Sequence, residues 1–170
     1  MAIRTVCLCL LQQDQRFLFQ RIENVHESKT MYRPIGGTME YGESSLVTVK
    51  REVKEEIHVD IIHPVLQYVI ENHFEYTEQD QSTGVSVQGL GHEITFVYSA
   101  HVDDPLFYKQ DIVYGIESNE VSYEAEWKTL HELKEDPDAL VVPEGLLELL
   151  LQTKIKESSS SLYHQIASAT

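Results

Sequence analysis

Gly37-Thr38-Met39-Glu40-Tyr41-Gly42-Glu43, followed seven residues later by Arg51-Glu52-Val53-Lys54-Glu55-Glu56-Ile57, is the stretch on which the reading of this chain turns. From Ser44 to Ile57, Leu46, Val49, Val53 and Ile57 recur at i, i+3, i+7 and i+11, which predicts a helix with one apolar stripe. Ser44 or Ser45 supplies an N-cap hydroxyl. On that helix Glu52, Glu55 and Glu56 fall at i, i+3 and i+4, so the three carboxylates share a face roughly opposite the stripe. Like charges so spaced repel one another, and a hard divalent cation relieves the repulsion. Mg²⁺ suits this best, because it takes carboxylate and water oxygens in an octahedron. Taken alone, the run Lys50 to Glu56 would be a solvated helix face with an Arg51–Glu55 ion pair. The upstream Gly37 and Glu43 shift that weighting.

Outward from this stretch, Ala2–Gln12 and Arg16–Ile22 read as a strand hairpin turning at Asp14-Gln15, and Glu23–Tyr32 as a polar loop. Arg33-Pro34-Ile35-Gly36-Gly37 marks irregular backbone. Ile61–Glu71 and Gly91–Val102 are rich in β-branched and aromatic residues and predict strands, with Thr77–Leu90 as the loop between them. Asp103–Asn119 carries no decisive pattern. Glu124–Leu130 predicts a short strand, Leu130–Glu135 a turn or short helix, and Pro143–Lys156 a helix with Leu146, Leu147, Leu150 and Leu151 inward. The serine-rich end has no pattern, so we expect a single domain over 1–157 and a flexible tail over 158–170. Strands around a central helix suggest α+β with a mixed sheet.

The 170 residues suit one domain, and 42% apolar content excludes wholesale disorder. Twenty-eight acidic against 13 basic residues give a net charge of -15, which repels phosphate backbones and disfavours nucleic-acid scaffolding. An anionic small molecule is accepted only if cations accompany it. The apolar run Val6–Leu11 is too short for a membrane span or a secretory core, so we expect no membrane association and a cytoplasmic location. Cys7 and Cys9 point to one strand face as free thiols, consistent with a reducing compartment. The eight histidines show no zinc-ligand spacing, which argues against a structural zinc site.

The stretch Gly37–Val59 resembles the Nudix hydrolase signature, G-x5-E-x7-R-E-U-x-E-E-x-G-U, where U is a bulky aliphatic residue. The match runs through Gly37, Glu43, Arg51, Glu52, Val53, Glu55 and Glu56 to Val59, and His58 stands where the signature has its last glycine. A glycine there commonly takes the left-handed conformation, which His enters at modest cost. Pro34–Gly37 and Trp127 with Leu130 are similar to the family's glycine approach and late strand. The resemblance implies an α/β/α sandwich carrying a loop-helix-loop catalytic element. It also implies Mg²⁺-dependent cleavage, with Mn²⁺ as a substitute, of a diphosphate linkage in a nucleoside diphosphate derivative. Nucleotide sugars, ADP-ribose-like compounds, dinucleoside polyphosphates and modified nucleoside triphosphates all fit.

The same resemblance implies Gly37 (through its carbonyl), Glu52, Glu55 and Glu56 as metal ligands, and Glu52, Glu55, Arg51 and Glu93 as catalytic residues. Arg51 would orient a glutamate or pair with Glu43, while Glu43 could instead reach a second metal. Glu93 is the choice for an additional ligand or base. For substrate binding, Asn72, His73, Phe74 and Tyr76 could line a base-stacking pocket, with packing an equal reading for Phe74 and Tyr76, and Arg33 could touch phosphate. The C-terminal helix is core with a minor share in a homodimer contact. Two other readings compete: a nucleotide-sensing Nudix-like domain without turnover, and an isoprenoid diphosphate isomerase, which would need a cysteine in the pocket.

Overall fold

The run Val6–Leu11 is buried throughout because its strand lies in mid-sheet with helices over both faces. The computed structural model describes residues 2–24, 29–79, 86–117, 120–152 and 163–168. In chain order the described elements are β1 (Arg4–Gln13), β2 (Arg16–Asn24), β3 (Lys29–Arg33), β4 (Ile35–Thr38), α1 (Ser45–Ile57), β5 (Ile61–Gln79), β6 (Ser86–Val102), β7 (Ile112–Ile116), β8 (Ser122–Thr129), α2 (Leu130–Glu135), β9 (Ala139–Val141), α3 (Leu146–Gln152) and β10 (Tyr163–Ser168).

β1 organises the sheet. It runs parallel to β6 along Arg4–Leu11 and antiparallel to β4 along Val6–Cys9, and its last residues turn antiparallel to β2. β2 pairs with both β3 and β8, β7 closes on β8, and β5 forms a long hairpin with β6. On one face Cys7, Cys9 and Leu11 of β1 meet Val49, Val53 and Ile57 of α1, with Tyr98 of β6 and Trp127 of β8. On the other face Leu10, Phe19, Ile70 and Val97 pack against Leu133 of α2 and Leu146 and Leu150 of α3. The architecture is thus α+β, three layers with a mixed sheet in the middle. Each fully buried Val or Ile of α1 contributes roughly 1.5–3 kcal/mol relative to exposure.

Several elements differ from the sequence reading, mostly because pairing overrides local composition. The polar segment read as a loop after Ile22 is strand on both sides, up to Asn24 in β2 and from Lys29 in β3, and 25–28 lie outside the described residues. The loop expected over Thr77–Leu90 is strand to Gln79 and again from Ser86, with 80–85 outside the described residues. Gly89 within it, and Gly91 at the head of the strand expected after it, explain the extension. Gly91 pairs with Phe74 and Gly89 with Tyr76, and each aromatic ring covers the space where a glycine side chain would stand. α3 begins at Leu146 rather than Pro143, which follows a cis peptide bond, and 153–156 lie outside the described residues. Leu151 is exposed rather than inward. Within the segment read as a flexible tail, Tyr163–Ser168 pairs in parallel with β5.

The Pro-Gly-Gly segment is regular after all: Ile35–Thr38 pairs with β1, and Gly36 opposes Leu8. Gly36 has φ 141°, and a Cβ there would collide with the Cys7 carbonyl. Gly36→Ala is therefore expected to destabilise the fold by about 3 kcal/mol, since strain and clash act together. Urea denaturation checks this, and an unchanged midpoint would contradict the packing described.

Candidate active site

α1 starts where Ser44 caps it: the Ser44 hydroxyl accepts from the Val47 N–H. It stops at His58, which takes φ 59° and ψ 27° and donates its backbone N–H to the Lys54 carbonyl. The apolar stripe is corrected at its first member, because Leu46 is 41% exposed. Thr48, Glu52 and Glu56 are buried beside Val49 and Val53 instead. The carboxylates therefore do not lie opposite the stripe. Glu52 and Glu56 flank it, aimed into the cleft between α1 and the sheet, while Glu55 stays at the solvent edge.

Arg51 ties this face to the preceding loop. Its Nε and Nη2 donate to the two oxygens of Glu43, each at 2.8 Å. Nη1 donates to Glu52 Oε1 at 2.9 Å and Glu55 Oε2 at 3.0 Å, and Nη2 also reaches the Thr38 carbonyl at 3.2 Å. Glu43 Oε2 further accepts from the Thr48 hydroxyl and the Glu40 N–H. This bidentate pairing holds the Glu43 carboxyl down at about 2, and it raises the Arg51 pKa above its ordinary value. Of the two options open in the sequence, Glu43 is observed pairing with Arg51.

Gly37 gives the cleft its floor. A Cβ at Gly37 would lie 2.6 Å from Glu52 Oε2, so any other residue there would push that carboxylate aside. Among the described residues, neither Glu52 Oε2 nor Glu56 Oε1 takes a hydrogen bond. Burial raises the Glu52 pKa, against the opposing pull of Arg51. Burial likewise pushes Glu56 up to about 7, even though the Tyr123 hydroxyl donates to its Oε2 at 2.6 Å. Hard oxygens, two buried carboxylates with unused lone pairs and a backbone laid against one of them suit a divalent cation.

Three partners of this cleft escaped the sequence reading. Tyr123 lies on β8, one residue before the strand expected there, and faces α1 across Gly115. Gln20 is 3% exposed and donates from Nε2 to Glu117 Oε1 at 2.5 Å, while its own Oε1 has no partner. Arg33 meets the same Glu117 carboxylate. Its Nη2 donates to the Gly36 carbonyl at 2.9 Å and to Glu117 at 3.3 Å, leaving buried Nε without a partner. Gln20, Glu117, Ser122 and Tyr123 line a groove of about 370 Å³. Strand alternation could have signalled Gln20 and Tyr123, but not which face they share.

The remaining candidates are placed elsewhere. Glu93 pairs with Arg4 across β6 and β1, and alternates onto the face of Thr95 and Val97, away from α1. Arg4 Nε donates to its Oε2 at 2.9 Å and Thr95 to its Oε1 at 2.8 Å. Glu93, expected as an additional ligand or base, thus lies paired with Arg4 and Thr95 on the face opposite α1. Asn72, directly across from Glu93, and Phe74 and Tyr76 alternate onto that same face with Ile70. Packing over Gly91 and Gly89 is what their rings do there.

A parallel pair at the centre of the sheet, a loop tied to α1 by Glu43 and Arg51, and two buried carboxylates on that helix make up the site. A family model, the NUDIX domain, matches residues 1–149. The chain belongs to the Nudix hydrolase family, whose enzymes generally use divalent metals and act on small molecules. Solved structures agree on the fold. The mutator MutT protein from Bacillus halodurans aligns with TM-score 0.58 and 21% identity over 99% of this chain and 91% of that one. Two Nudix hydrolase structures from Nitrosomonas europaea align with TM-scores of 0.55 and 0.52. The first has 14% identity over 99% of this chain and 81% of that one, the second 16% over 93% and 100%. A comparison with curated proteins gave no match. No helix of the described residues is long and apolar enough to cross a membrane.

Proposed function

We propose that the chain is a Mg²⁺-dependent pyrophosphohydrolase that cleaves the diphosphate linkage of a nucleoside diphosphate derivative in the cytoplasm. The observation that carries this reading is the bare Gly37 backbone laid against Glu52, beside the buried, half-satisfied Glu56. The Gly37 carbonyl, Glu52 and Glu56 would hold the ion, with Glu55 at the solvent edge, and Mn²⁺ would fit the same oxygens. Bound there, the ion supplies charge neutralisation at the bridging phosphates. Arg51 holds Glu52 and Glu55 in place through its two-sided hydrogen bonding and is a positioning residue. Glu52 or Glu55 takes the proton from the attacking water. Gln20, Ser122 and Tyr123, which line the groove, would meet the polar edges of the substrate, with Arg33 held behind them on Glu117. The burial of unused cysteines runs against isomerase chemistry: burial pushes Cys7 up to about 11 and Cys9 to about 12, far from a reactive thiolate.

A panel of nucleotide sugars, ADP-ribose-like compounds, dinucleoside polyphosphates and modified triphosphates, with products identified by mass, tests the proposal. We expect P–O–P cleavage of at least one class in Mg²⁺ and none in EDTA. Ligand-induced thermal shifts without any turnover would contradict it and favour a sensor.

A further inference from the structure

We propose that Glu71, His73 and His92 form a second metal site, for a borderline transition-metal ion of the Zn²⁺ class. Sequence spacing hides it, because the histidines belong to different strands and meet only through the register of the β5–β6 hairpin. His73 lies directly across from His92, their rings 4.1 Å apart at 32°, and Glu71 stands two residues along the same face. Glu71 Oε1 and His92 Nε2 are 2.9 Å apart, and one ligand atom from each of the three residues falls within 4.8 Å of the others. His73 is exposed and the other two are half-buried, so an ion could enter from solvent and keep a water ligand.

The donor set decides the kind of ion. Two imidazoles and one carboxylate are the ligands of three-coordinate protein zinc sites with an open fourth position. Mg²⁺, which favours oxygen, is not matched by them. Modest side-chain rotations would close the ligand atoms onto bonds of about 2.0–2.2 Å. Such an ion would take the place of the hydrogen bond between Glu71 and His92.

The position of this rung adds a mechanical consequence. Pairing of β1 with β6 begins at Arg4–Glu93, and the described pairing of β10 with β5 ends at Ser168–His73. Beyond the His73–His92 rung, Phe74–Gln79 and Ser86–Gly91 run on as a two-stranded ribbon with no third strand among the described residues. Isolated ribbons of this kind are marginal in water. A metal at the rung where the ribbon leaves the sheet would staple its base.

The test uses the full chain, stripped with EDTA, returned to buffer with excess Mg²⁺ to occupy oxygen-rich sites, and titrated with Zn²⁺ by calorimetry. One ion per chain is expected. Affinity should weaken by about tenfold or more in His73→Gln and in His92→Gln, and stay unchanged in Glu56→Gln. In a parallel titration, Co²⁺ should give intense visible absorption bands in the parent chain and in Glu56→Gln, but not in the histidine variants. His73 is exposed, so its variant should keep the parent circular dichroism. No Zn²⁺ binding by the parent, equal binding by a His73→Gln/His92→Gln double variant, or loss of binding in Glu56→Gln would each overturn the proposal. Since none of these readouts is hydrolysis, failure here leaves the pyrophosphohydrolase reading untouched.

Discussion

Glu56→Gln is expected to reduce Mg²⁺-dependent turnover by about a hundredfold, the scale on which removal of one charged group from an electrostatic site is felt. The variant should fold, because glutamine keeps an acceptor for the Tyr123 hydroxyl. It should also change how metal-free protein responds to pH. Burial lifts the folded-state pKa of Glu56 to about 7, above the ordinary carboxylate value of 4.5. The folded chain therefore binds the proton more tightly than the unfolded chain. The stability this supplies is fully present below pH 4.5 and is lost as pH rises through 7, amounting at most to about 3 kcal/mol. Glu52 shifts the same way. Glu43 shifts oppositely, but its contribution is lost only as pH falls from 4.5 towards 2. Urea midpoints measured in EDTA should thus fall for the parent between pH 5 and 8 and stay much flatter for Glu56→Gln. Parallel slopes in the two proteins would show that Glu56 is not the buried acid described.

Arg51→Ala is expected to cost about 2 kcal/mol of stability, between the scales for exposed and for buried ion pairs, because Arg51 and Glu43 are half-buried. Without the guanidinium, Glu43 loses its bidentate partner, Glu52 keeps its burial without compensation, and Thr38 loses a donor to its carbonyl. Lysine cannot replace it, because a single ammonium does not span Glu43 and Glu52 with a planar fork. If Arg51 positions Glu52, the Mg²⁺ concentration for half-maximal activity should rise in both Arg51→Ala and Arg51→Lys. A loss of stability with unchanged Mg²⁺ dependence would leave Arg51 a structural residue only.

What was readable in advance depended on local contacts. The helix lies within one short stretch and periodicity finds it, while spacing narrows its cap to Ser44 or Ser45 and offers the Arg51–Glu43 pairing as one of several options. The face that Glu93 occupies is hidden for the opposite reason. A strand residue alternates between two faces, and which face meets α1 is decided by the pairing of β6 with β1 and not by anything near Glu93. Tyr123, Gln20 and Glu117 reach the cleft through β2, β7 and β8, and the His73–His92 rung through hairpin register, all at long sequence separation. Within Thr77–Leu90 the sequence looks like a loop, because polar residues and Gly89 read as breakers until the ring of Tyr76 is laid over that glycine.

Anomalous diffraction from crystals grown in Mn²⁺ tests the central claim most directly. The account predicts a peak bounded by the Gly37 carbonyl, Glu52 and Glu56, retained in His73→Gln crystals and weakened in Glu56→Gln crystals. Density absent from that cleft at saturating Mn²⁺, with Glu52 and Glu56 still in place, would contradict it.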